Sequence, residues 1–184
     1  MKRKLCFILF IGSVLFFSCK KSHAPVPQIA IGQNYGGGVV FYVDSVGQHG
    51  LIVAINDQST STQWLNGSYI VTGAISDING FTNTSLIINT QGNTGSYAAK
   101  ICKDYRGGGF SDWFLPSIDQ LTLLFDQKYA IGLNLATGGN WGNGNYWSST
   151  ETTNINAKFE NLYDGTQWED SKNLTLFVRA IRSF

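Results

Sequence analysis

The stretch GGGFSDWFLPSIDQL, residues 107–121, decides how this chain is read. Ser117 follows Pro116 and has Gln120 three residues later. That is the spacing of a capping box, in which the hydroxyl accepts an orphan N–H of a first helical turn and the glutamine reaches back. Downstream, Ile118, Leu121, Leu124, Phe125 and Tyr129 fall on one face at helical spacing. A helix is therefore predicted over PSIDQLTLLFDQKYAIG, with Gly132 placed to end it. Upstream, Trp113 and Leu115 alternate with Asp112 and Phe114, which suits a short extended run into the helix. In that setting Asp112 reads as a turn former whose carboxylate accepts backbone N–H groups of the glycine-rich loop, not as a catalytic acid.

Working outward, TGSYAAKICKDYRGGG places Tyr97, Ala98, Ile101, Cys102 and Tyr105 on one apolar stripe and predicts another helix, ended by the glycines at 107–109. Cys102 on that stripe reads as a small buried side chain. Nearer the start, GVVFYVD and GLIVAIND flank SVGQH and predict a β-hairpin, with His49 as a turn residue. Residues 56–95 are polar, dotted with glycine and punctuated by Trp64, Tyr69 and Phe81. They read as a long, mostly irregular region with short pieces of strand or helix, a length that is unusual in a compact domain unless it has a role or packs by its own side chains. Toward the C-terminus, LNLATGGNWGNGN reads as a loop, YWSSTE and AKFENLYDG as strands, DGTQ as a turn, and NLTLFVRAIRSF as a last strand. Its apolar residues occupy both faces, as in a central strand. On it, Arg179 is expected to pair with Asp112 or Glu151.

Residues 1–18 stand apart. MKRK is a basic leader and LCFILFIGSVLFF an apolar run of signal-peptide length, too short to span a bilayer comfortably. LFFSC then resembles the lipobox of bacterial lipoproteins, with Phe16 and Phe17 where smaller residues are usual. The resemblance implies cleavage before Cys19 and lipidation of that cysteine, membrane lipid being the partner. Each buried acyl CH2 contributes about 0.8 kcal/mol of anchoring. Residues 19–30 then read as a tether, containing His23, and residues 31–184 as one domain. The expected location is the cell envelope, with the outer membrane as host. Residues 1–18 hold three of the 13 basic residues and none of the 12 acidic ones. The remainder is thus net negative, which argues against nucleic acid as a partner.

GGGVVFYVD and GQHGLIVA, GSYAAKICKDYRGGGFSDWFLPSIDQL, YWSSTE and VRAIRSF occur in that order. As an ordered set they resemble the Lcl C-terminal domain family, bacterial domains of poorly defined function named after part of a collagen-like adhesin. The resemblance spans roughly residues 31–184. It implies an α+β, C-type-lectin-like fold: two helices on a small, mostly antiparallel twisted sheet with long loops. Some members adhere to sulfated or other acidic glycans. This chain has no Gly-X-Y tract, and its net-negative domain fits a polyanion poorly.

Enzyme motifs such as HExxH, GxxxxGK[ST], GxSxG and CxxC are absent. The expectation is a non-enzymatic module that needs no cofactor. Acidic residues that could gather oxygens for a cation are Asp164, Glu169 and Asp170, or Glu151 with Asn154 and Asn156, but neither set matches a calcium loop, and a solvated turn is the simpler reading. Trp141 within GGNWGNGNYW and Trp168 within DGTQWED carry the functional hint, since exposed indoles stack on sugar rings and neighbouring amides supply hydrogen bonds. The candidate ligand-binding residues are Trp141, Asn143, Asn145 and Trp168. Trp113 and Trp147 are assigned to the core. The expected activity is binding of a glycan or surface protein. The alternatives are an assembly lipoprotein making protein contacts, or a hydrolase on a lectin-like scaffold.

Overall fold

The two β-rich apolar runs of 38–54 fold as expected into an antiparallel hairpin, β2 (Gly38–Val43) and β3 (Gly50–Ala54), with a register shift between Val40 and Tyr42. The computed structural model describes residues 28–132 and 144–184. The short β1 (Asn34–Tyr35) and the late β9 (Ile181–Ser183) complete a four-stranded antiparallel sheet in the order β1-β2-β3-β9. A second sheet holds β4 (Ser59–Gln63), β5 (Asn145–Glu151), β6 (Asn156–Asn161), β7 (Gln167–Ser171) and β8 (Thr175–Val178) in the order β4-β8-β5-β6-β7. Its pairings are antiparallel except β5 with β8. With helices α1 (Gly80–Gln91), α2 (Ala98–Asp104) and α3 (Ile118–Asp126), the class is α+β.

Several expectations are corrected in detail. The last apolar run is two strands, not one: the chain leaves the five-stranded sheet after Val178 and enters the other at Ile181. β8 is interior, whereas β9 is an edge strand whose outer side meets Phe114 through a reciprocal pair of bonds of 2.8 and 3.0 Å. Residues 167–171, expected in a turn and its flank, form the edge strand β7. The region 56–95 is less irregular than predicted, because it contains β4 and the twelve-residue α1. α1 escapes notice because its buried face includes Gly80, Asn83, Thr84 and Gln91 alongside Ile87, so no apolar stripe marks it. Its start is marked only by Asn79, whose side chain accepts from the Thr82 N–H at 3.0 Å. α3 stops at Asp126, short of Gly132.

Gln120 does more than cap. Its Oε1 accepts from Ser117 N–H (2.9 Å), from the Ser117 hydroxyl (3.2 Å) and from Gly80 N–H (3.1 Å), joining the starts of α1 and α3. A Cβ on Gly80 would lie 2.5 Å from both this oxygen and the Leu115 carbonyl, so close approach demands glycine there. The triple glycines 36–38 and 107–109 also meet. A Cβ on Gly37 would stand 2.6 Å from the Gly107 carbonyl oxygen, and one on Gly108 2.5 Å from the Gly37 Cα. Both glycines have positive φ, so each serves geometry and clearance together. The glycines of the opening stretch are therefore a joint between two turns, and not only a helix stop.

Large rings fill the interior. Trp64, Trp113, Trp147 and Tyr97 are fully buried in one cluster with Ile52, Ile87 and Val178; Phe41, Phe114, Tyr146, Leu121 and Leu124 belong to another. The three buried indoles each donate to a carbonyl: Trp64 to Ser148 (2.8 Å), Trp113 to Gly107 (3.1 Å) and Trp147 to Thr62 (3.0 Å). That removes the penalty an unpaired N–H would carry.

Candidate binding surfaces

Asp112 and its neighbours organise the frame, but with partners other than those predicted. Asp112 does not hold the glycine loop; its two oxygens take the Arg182 Nε and Nη2 at 2.8 Å each. The same guanidinium lies 3.8 Å over the Phe110 ring. Hydrogen bonding from Arg182 holds the Asp112 carboxyl below its ordinary value. Arg179 pairs with neither Asp112 nor Glu151. It donates to Asp57 Oδ1 at 2.6 Å and to the carbonyls of Ala54 and Ile55.

Glu151 is buried and takes Lys172 Nζ at 2.5 Å, with Thr72 and Gly73 N–H at 2.9 Å. The Lys172 ammonium also donates to the Thr153 and Asn154 carbonyls and lies over Trp64. Burial draws that ammonium below its ordinary value, with Glu151 opposing. A cation at Glu151, Asn154 and Asn156 would have to displace it. Asp164 is likewise occupied, accepting from Thr166 N–H and hydroxyl within the β6–β7 turn. Among the described residues no three His, Cys, Asp or Glu gather to hold a metal ion, and no helix is long and apolar enough to cross a membrane.

The predicted binding residues separate. Cys19, Trp141 and Asn143 lie outside the described residues. Asn145 is buried at the start of β5, where its Oδ1 accepts from Asn161 Nδ2 at 2.8 Å. It is structural, a correction that follows from its place in a strand and not in the loop before it. Trp168 is 56 % exposed, while Trp64, Trp113 and Trp147 are each at 0 %. It stands on a strand and not in a loop. In register, Trp147 faces Phe159 and Phe159 faces Trp168, so three rings share one face of β5, β6 and β7. The outermost ring reaches solvent, flanked along the edge by Gln167, Glu169 and Asp170.

A second concavity was not foreseen. Asn56, Asp57, Ser96, Lys100, Asp104 and Tyr105 line a cleft of about 470 Å³ between the β3–β4 connection and α2. Lys100 pairs with Asp104 one helical turn on. Asp57 is held by Arg179 and by the Tyr146 hydroxyl at 3.2 Å, yet burial still pushes its carboxyl above the ordinary value. Nothing local in AIND announces this carboxylate, because its arginine lies 122 residues away. Compared with known families and characterised proteins, the chain matches no family model and no curated sequence.

Proposed function

We propose that the chain is a non-enzymatic binding module of the cell envelope, held by lipid at Cys19, whose edge strand β7 presents Trp168 to a glycan. The observation that carries this reading is the contrast among the tryptophans of the described residues: Trp64, Trp113 and Trp147 are sealed and hydrogen-bonded, and Trp168 offers its face to water beside carboxylate and amide side chains. An exposed indole is a large, rigid platform that a sugar ring can stack on at low entropic cost. The α+β class and nearly all-antiparallel pairing support a C-type-lectin-like relationship and the Lcl resemblance. Trp141 and Asn143 remain candidates on the sequence reading. On a glycan array the Trp168→Ala protein, folded as judged by its melting curve, should lose binding by about tenfold or more. Unchanged binding would reject the reading. Metabolic labelling with a fatty acid should mark the wild type and not Cys19→Ser; equal labelling would reject the anchor.

A second reading, an assembly protein working through protein contacts, is favoured by one feature. The segment between β4 and α1 exposes Val71 (65 %), Ile75 (71 %) and Ile78 (73 %). Capture of a single protein partner, lost on Val71→Ser with Ile75→Ser and with no sugar bound, would favour it. The two carboxylates of the cleft are each ion-paired, so the hydrolase reading gains little from them.

A further inference from the structure

Glu160 is the anomaly of the second sheet. It lies on β6 at 0 % exposure, yet its Oε1 has no hydrogen-bond partner. Its Oε2 accepts from Thr122 Oγ1 of α3 at 2.8 Å and from Gln167 Nε2 of β7 at 3.3 Å. Gln167 Nε2 also donates to Thr122 Oγ1 at 2.7 Å, closing a three-way clasp between α3, β6 and β7. Charged neighbours oppose an ionised carboxylate. Burial is the largest influence and raises the Glu160 carboxyl; the Thr122 and Gln167 donors favour the ionised form but are outweighed, and Asp126 and Asp119 of α3 add repulsion of like sign. On the same strand face Lys158 is committed to Asp77, and beyond α3 Lys128 donates to the carbonyls of Leu162 and Tyr163. Tyr146 of β5 stands across from Glu160, and β7 adds Glu169. No cation among the described residues forms an ion pair with it.

A neutral carboxyl leaves Oε2 as an acceptor for the clasp and carries no charge for the two aspartates to repel or for burial to penalise. A carboxylate there is a buried, unpaired charge, which must draw in water or a cation. The element free to give is β7, which has β6 on one side only.

We propose that Glu160 is a proton-operated latch: protonated, it clasps β7 to α3 through Gln167 and Thr122, and ionised, it releases β7 and so alters the presentation of Trp168. The consequence for ligand binding rests on the reading of β7 as the binding strand; the latch itself does not. Carbon-13 NMR of the Glu160 carboxyl from pH 5 to 9 tests it on the whole domain without any ligand. The expected midpoint is about 7, against 4.5 for an ordinary glutamate. The Gln167 side-chain amide and the Trp168 indole N–H should move with the same midpoint and stay flat in Glu160→Gln. A midpoint in the ordinary carboxylate range, or Gln167 and Trp168 signals that do not follow Glu160, overturns the latch. The wild-type titration decides this even if Glu160→Gln fails to fold. If the latch titrates as expected while Trp168→Ala binds glycan as the wild type does, the binding reading falls and the latch stands.

Discussion

Two arginines three residues apart show how burial sets the value of a charge. Arg179 is 1 % exposed and the side chain of its partner Asp57 16 %, whereas the side chain of Asp112, the partner of Arg182, is 48 % exposed. Arg179→Ala leaves Asp57 deprived of its cation and two carbonyls without their donor, and should cost about 3–5 kcal/mol. Asp112→Asn removes a solvent-screened pair and should cost under about 1 kcal/mol. Urea denaturation of the two variants checks the order, and equal losses would refute it. The pH dependences run in opposite senses. Asp112, held below 3.8, contributes stability that is present above that value and lost as pH falls. Glu160, pushed from 4.5 up to about 7, contributes stability that is complete below 4.5 and lost as pH rises toward 7. The loss sums to about 3 kcal/mol over that window, by 1.36 kcal/mol per unit. Urea midpoints at pH 5, 6, 7 and 8 should fall in the wild type and lie flat in Glu160→Gln.

At the level of elements, what could be read in advance followed from local chemistry. The hairpin β2–β3 and the start of α3 were legible because β-rich runs about a short loop and a capping box are signals that act over a few residues. α2 was legible from its stripe, and Cys102 is buried on it as expected, with burial pushing its thiol well up. α1 was not, since Asn83 and Thr84 are buried by bonds to distant partners: Asn83 to Ser76 and Ser149, Thr84 to Leu115. Gln120 links both kinds of helix, so Gln120→Ala should cost about 1–3 kcal/mol by stranding the Gly80 and Ser117 donors. Amide exchange should quicken at the first turns of both α1 and α3; quickening at α3 alone would refute the link. The glycine joint predicts that Gly37→Ala destabilises by about 2 kcal/mol or more, through clash and positive φ, as thermal melting would show. Gly67→Ala, with no neighbour within 4 Å, carries only the φ cost and should do less harm.

Across the whole molecule, the two sheets are one structure because a single run of chain serves both. Arg179 and Ala180 carry it from β8 to β9, and Ala180 N–H is held by Gln58 Oε1 while its carbonyl takes Ala54 N–H. The sequence read as one strand there; the break is set by Asp57, Gln58 and Phe114, which only the tertiary fold brings together. The site was legible to the same extent. Trp168 was identified by residue type, but its position on an edge strand depends on pairing with β6, and the cleft around Asp57 depends on contacts far apart in the chain. The contrast among the indoles also has a spectroscopic consequence. Sealed rings emit at short wavelength and are shielded from iodide, whereas a ring open to solvent emits farther to the red and is quenched. With Trp141 replaced by phenylalanine, Trp168 becomes the quenchable fluorophore, and the protein carries its own optical gauge of whatever settles on β7.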